Sequence, residues 1–175
     1  LHDTFIKMAK VLFIQPKDLK SFTAANGNVS TDSLLPYVYM AQEIEVQRLL
    51  GTDLYEKLKS DIDGGTLTGN YLTLVDTYIK PILIHYGFMR ALPYLGITIA
   101  NGGIYRNSAE NATALSKDEV EYLVEAERDA AQYYSTRMID YLNFNASANF
   151  PEYFTNQNED ISPDYDDNFN GWYLR

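Results

Sequence analysis

The residues from Tyr71 to Leu92 are apolar on nearly every side of a helix, and this run constrains what the rest of the chain can be. Large apolar groups recur at Tyr71, Leu74, Val75, Tyr78, Ile82, Tyr86 and Met89, while Leu72, Ile79, Leu83 and Phe88 cover the other sides. A helix of this kind has no solvent face to spare, so it runs through the middle of a bundle. Asp76, Lys80, His85 and Arg90 interrupt it too often for a membrane span. Pro81 removes the amide that would bond the carbonyl of Thr77, so a kink or restart is expected inside the run. His85 lies among Ile82, Tyr86 and Met89 with no second histidine or cysteine nearby. It reads as a hydrogen-bonded core group rather than a ligand or base.

The 175 residues suit one domain with an appendage, and the absence of cysteine excludes disulfides, thiolate nucleophiles and zinc-thiolate sites. A net charge of −10 argues against a protein that grips nucleic acid, which needs clustered Lys and Arg. No cleavable signal sequence or long charge-free apolar stretch is visible, so synthesis in the cytosol is expected. Fifteen tyrosines are the unusual feature. Tyrosine offers large contact area at low entropic cost and is enriched at interfaces.

Residues 1–10 read as an N-terminal arm, Val11–Ile14 as a short strand or extended segment, and Pro16–Phe22 as a short helix. Ser30 or Asp32 caps a helix running to Leu50, where Gly51 ends it; Pro36 is tolerable only in or near its first turn. Thr52 is expected to cap a helix over Asp53–Ile62, broken by Gly64-Gly65. After the central helix, Asn101-Gly102-Gly103 stops helix formation, and residues 101–115 show no helical period. Ile104 and Tyr105 could form a brief strand beside Val11–Ile14. Ser116-Lys117-Asp118-Glu119 is a capping box opening a helix to about Asn143. From residue 146 the chain becomes an acidic aromatic tail. It carries six carboxylates against Arg175, together with Phe150, Tyr153, Phe154, Tyr165, Phe169, Trp172 and Tyr173. Such a composition predicts a segment that docks, either on a neighbouring protein or back on its own bundle. The fold class is therefore mainly α: a small helical bundle around a long kinked central helix, with a short extended segment, a long loop and an extended tail. A domain at 1–145 precedes the tail at 146–175.

No catalytic constellation emerges. Asp166-x-Asn168-x-Asn170-Gly171 matches the start of a calcium loop, but its closing glutamate would fall beyond Arg175. The carboxylate pairs Glu125/Asp129 and Glu43/Glu45 read as solvated faces without a histidine or lysine constellation. Gly102-Gly103 lacks the context of a phosphate loop. These readings imply no enzyme, no cofactor and no metal.

A set of short motifs in order carries a family resemblance. It comprises Leu34-Leu35-Pro36-Tyr37 with Ala41-Gln42, Leu49-Leu50-Gly51-Thr52-Asp53-Leu54-Tyr55, and Tyr78-Ile79-Lys80-Pro81-Ile82-Leu83-Ile84-His85-Tyr86. Ser108-Ala109-Glu110-Asn111 and Ser116-Lys117-Asp118-Glu119 follow. Over roughly residues 11–143 this order resembles the head–tail connector (adaptor, or neck ring) proteins of tailed bacteriophages, of the type found in Bacteroidetes phages including the crAss-like group. The resemblance implies a virion protein made in the bacterial cytoplasm. It would bind below the portal as a ring, usually dodecameric, contact the next tail or neck protein, and extend the DNA channel without holding DNA or touching a membrane. Ile104, Tyr105, Arg106, Tyr165, Phe169, Trp172 and Tyr173 are the expected interface residues. The alternative is a monomeric helical regulatory protein that binds one partner through its aromatic tail.

Overall fold

A computed structural model describes residues 10–25, 29–101, 103–106, 115–157 and 160–165, with the backbone alone at 98–100, 105 and 106. The architecture is mainly α. Helix α1 (Pro16–Phe22) leads to α2 (Thr31–Ala41), which continues through a π-helical turn (Gln42–Val46) into α3 (Gln47–Leu50). Helix α4 (Thr52–Asp63) follows directly. The central run is α5 (Gly69–Thr73), a second π-helical turn (Leu74–Ile79) and α6 (Lys80–Ala91), closed by a 3₁₀ turn at Leu92–Tyr94. A hairpin of β1 (Ile97–Ala100) and β2 (Gly103–Arg106) comes next, then α7 (Lys117–Asn149) and α8 (Pro151–Thr155).

The expected interruption at Pro81 takes a particular form. The Lys80 amide bonds the Val75 carbonyl five residues back, so the helix widens by one residue just before the proline. Pro81 then occupies the first turn of α6, where its missing amide costs little. Pro36 lies deeper in α2 than the first turn, but on its exposed side, where water can reach the carbonyl it leaves unpaired.

Helix α6 is the axis of the core. Its Gly87 faces α2: a Cβ there would lie 3.7 Å from the Val38 Cα and 3.3 Å from a Leu19 methyl, so the glycine permits close approach of the two backbones. Two residues away on α6, His85 faces α7, where its Nδ1 lies 2.7 Å from Glu127 and its ring stacks on Tyr134. Residues two apart on a helix point about 200° apart, so α2 and α7 flank α6 on opposite sides. Further pairs, Tyr78 stacked on Tyr141 and Tyr71 edge-on to Phe150, run antiparallel along α5–α6 and α7.

Several expectations are corrected. Val11–Ile14 forms no strand. Its backbone is held by one side chain, buried Gln42, whose Oε1 accepts the Phe13 amide at 2.9 Å and whose Nε2 donates to the Val11 carbonyl at 2.8 Å. The Ile104–Tyr105 strand pairs with Ile99 and Thr98 instead, so part of the expected loop is a hairpin. Helix α7 passes through the expected 145/146 boundary to Asn149 and buries Ala146. The next turns are also bundle, since Phe150 and Tyr153 are fully buried. Glu43 and Glu45 are not on a solvated face: Glu43 accepts the Tyr55 hydroxyl, and Glu45 pairs with Arg90 and Arg48.

Candidate functional site

Gly51 separates α3 from α4 with φ +75° and ψ 159°, a conformation that favours glycine. It is the N-cap of α4, so Thr52, expected to be the cap, is the first helical residue. Its side chain is thereby free for another partner, the returning chain. The Thr52 amide donates to the Ile161 carbonyl at 2.9 Å, and the Ile161 amide donates to the Thr52 hydroxyl oxygen at 3.1 Å. The Thr52 hydroxyl itself donates to Asp160 Oδ2 at 3.0 Å. On one side the Asp164 amide bonds the Arg48 carbonyl, and its carboxylate pairs with the Arg48 guanidinium. On the other, Asp53 Oδ2 accepts the Gln157 amide at 2.7 Å. Pro163 closes the seat against Gly51, where any Cβ would come within 2.6 Å of its ring.

The described part of the tail is therefore a strap over its own bundle, anchored by backbone and polar contacts at the α3–α4 joint. The Tyr165 hydroxyl donates to the Tyr153 carbonyl at 3.2 Å, and its ring, 43% exposed, meets Tyr153 edge-on. As far as residue 165 the described tail thus takes the second of its two expected forms, docked back on its own bundle and not on a neighbour. Phe169, Trp172, Tyr173 and the calcium-like motif lie outside the described residues. The motif Leu49–Tyr55 carried a hint of the seat: a glycine between two helices followed by a buried threonine is a place for something to dock.

The β1–β2 hairpin that follows α6 is exposed. Strands β1 and β2 pack principally on each other, and Ile104 is 70% exposed. Tyr105 and Arg106 pair through their backbones with Thr98 and Ile97. No residue of 117–130 in α7 is fully buried. The structure thus brings Ile104, Tyr105 and Arg106 together on one arm and places Tyr165 elsewhere, on the strap.

Nothing among the described residues assembles a reaction centre. A cleft of about 400 Å³ beside Phe22, Pro81 and Ile84 has Asp18, which accepts the Gln15 amide, Lys80 paired with Asp76, His85 paired with Glu127, and Tyr134 stacked on His85 as its polar lining. No group of three or more His, Asp or Glu residues among those described could hold a metal ion, and none of the described helices is long and apolar enough to cross a membrane. Tyrosine hydroxyls dominate the perturbed groups. Burial and the bond to Glu43 raise Tyr55, burial raises Tyr153, and burial with the bond to Glu152 pushes Tyr71 up to about 12. These are structural hydroxyls held neutral by packing.

Taken together, the chain is a mainly helical bundle with a strapped α3–α4 joint and an exposed β1–β2 hairpin. The family of unknown function DUF6712 matches residues 46–163, well over half of the chain, and the chain belongs to that family. The matched segment opens at the π turn before the seat and closes on Pro163, the residue packed against Gly51. No curated protein and no solved structure matches the chain.

Proposed function

We propose that this protein is a structural component of the neck of a tailed bacteriophage, forming a ring below the portal that connects head to tail and extends the DNA channel. The observation that carries this reading is the β1–β2 hairpin. It follows the last turns of α6 and leaves Ile104 open to solvent. A monomeric protein gains nothing from ordering such an arm, whereas a ring subunit uses it to reach a neighbour or the portal. The motif order adds support, and so does the net charge of −10, since a channel wall through which DNA slides should not hold phosphates. Residues 150–157 and 160–165 lie on their own bundle, so a regulator acting through its tail would have to use residues beyond 165.

The test is native mass measurement of the protein alone and with a cognate portal protein. The intact chain is expected to form a ring with the portal. A variant in which a short Gly-Ser turn replaces residues 97–106 should keep its circular dichroism and melting temperature but lose the ring. A chain that stays monomeric with the portal overturns the proposal.

A further inference from the structure

Tyr165 fixes the point from which the remaining residues of the chain depart. Its carbonyl accepts the side-chain amide of Asn143 on α7 at 3.3 Å, and its ring meets Tyr153 edge-on with centroids 5.3 Å apart. Tyr153 in turn meets Phe154 of α8 edge-on at 5.8 Å. An apolar face lies beside this exit. Phe144, next to Asn143 on α7, is 87% exposed, and Phe154 is half exposed. One turn beyond Asn143, Ser147 joins Pro151, Phe154 and Thr155 in lining an open depression of about 360 Å³.

We infer that residues 166–175 of the same chain cover this face, with Phe169 and Trp172 seated on Phe144 and in the depression. Reach allows it. Phe169 is four residues beyond Tyr165 and Trp172 is seven, up to about 14 Å and about 25 Å of extended chain. The face is shorter, since the eight residues from Asn143 to Pro151 rise about 12 Å. Asn170-Gly171, between the two aromatics, is the residue pair of a tight turn, which brings the residues on either side within about 7 Å of each other. Phe169 and Trp172 therefore arrive as one apolar unit.

Charge does not oppose the contact. No residue from Tyr141 to Pro151 is charged, and Glu152, the next one, is committed to the Tyr71 hydroxyl. One and two turns before Phe144 on its side of α7 stand Asp140 and Arg137, of opposite sign. The face is thus near neutral on a chain of net charge −10, and Asp166 and Asp167 meet no cluster of carboxylates there. The attraction is apolar, between uncovered rings and a segment rich in aromatics. Tethering selects this occupant over a free one. A segment that starts at the edge of the face is present there at an effective concentration on the order of millimolar, well above that of a separate partner in dilute solution. A contact too weak to hold another molecule is enough to seat these residues.

Trp172 is the single tryptophan of the chain, so its fluorescence reads this contact without a label. Emission and acrylamide quenching are measured over a concentration series for the intact chain, for Phe144→Asp, and for Tyr122→Asp as a control near the other end of α7. Both substituted side chains are largely exposed, and native circular dichroism is expected of both variants. The expected result is a blue-shifted, quencher-protected Trp172 in the intact chain and in Tyr122→Asp, unchanged by dilution, with loss of both signatures in Phe144→Asp. An intact chain whose Trp172 emits like tryptophan in water overturns the inference, as does a Phe144→Asp variant that keeps the blue shift. Equal loss in Tyr122→Asp overturns it too, by removing the face's claim to the effect. Emission that moves to the red on dilution assigns the face to a second copy and also overturns it. The measurement is made on the protein alone, so its outcome is separate from that of the portal experiment.

Discussion

Pro163 lies against Gly51 so closely that a methyl group on residue 51 would come within 2.6 Å of the proline ring. A strap returning from the end of the chain is thus fitted to a joint formed more than one hundred residues earlier, and the joint has no room for a side chain.

Gly51→Ala should therefore be damaging for two separable reasons. The backbone conformation alone costs about 1–3 kcal/mol for a residue with a side chain, and the clash adds to it. In urea denaturation the double variant with Pro163→Gly is expected to recover the clash contribution but not the backbone part. Full recovery would mean that the positive φ is not a constraint.

Gln42 should behave as a small keystone. Its buried side-chain amide serves the Phe13 amide, the Tyr55 hydroxyl and the half-buried Val11 carbonyl. Gln42→Ala is expected to cost about 2–4 kcal/mol, since it leaves buried partners unpaired and opens a void. Hydrogen exchange at Phe13 should accelerate before that of α6.

Pro81→Ala should change stability by less than about 1 kcal/mol, because the proline sits in the first turn of α6 behind a π turn that has already adjusted the backbone bonding. Thermal melting measures this directly. A gain near 3 kcal/mol, the usual penalty of an interior proline, would show that the π turn does not relieve it.

Phe150→Ala is expected to cost about 3–5 kcal/mol of monomer stability, as for other buried aromatics. Phe150 is fully buried with its ring edge-on to both Tyr71 and Tyr141. A melting temperature close to that of the intact chain would return this residue to the tail.

Tyr71 predicts a feature of the alkaline limb of the stability curve. An unfolded tyrosine ionises near pH 10, whereas burial, with the bond to Glu152, pushes Tyr71 up to about 12 in the native state. Between these values the folded chain binds more protons than the unfolded one, so stability falls as pH rises. The contribution is fully present below about pH 10. Tyr71→Phe should make the decline from pH 10 to 12 shallower, which denaturation at a series of pH values will show.

What the sequence disclosed follows from periodicity and local chemistry. The apolar run placed the central helix, the pair Ser116/Glu119 opened α7 with both reciprocal bonds formed, and Ser30 caps α2. Both π turns escaped notice because they depend on tertiary packing and have no residue pattern of their own. Strand β1 was hidden behind the helical run, although Ile97-Thr98-Ile99 before Asn101-Gly102-Gly103 has the β-branched and turn residues of a hairpin. The strap was misjudged for a different reason. Its hold on Thr52, Arg48 and Asp53 uses backbone groups and short polar side chains, which leave no apolar period, while its aromatics pointed outward to a partner.

The close approach at Gly87 has a consequence for what is shared among relatives. The matched segment begins at Val46 and leaves out α1 and α2, yet Leu19 and Val38 from those helices cover one flank of α6. The inherited signature and the physical unit are therefore different lengths of chain. A fragment cut at residues 46 and 163 would expose that flank to water and should aggregate rather than fold. Relatives that share only this segment need some other sequence to wall off the same flank.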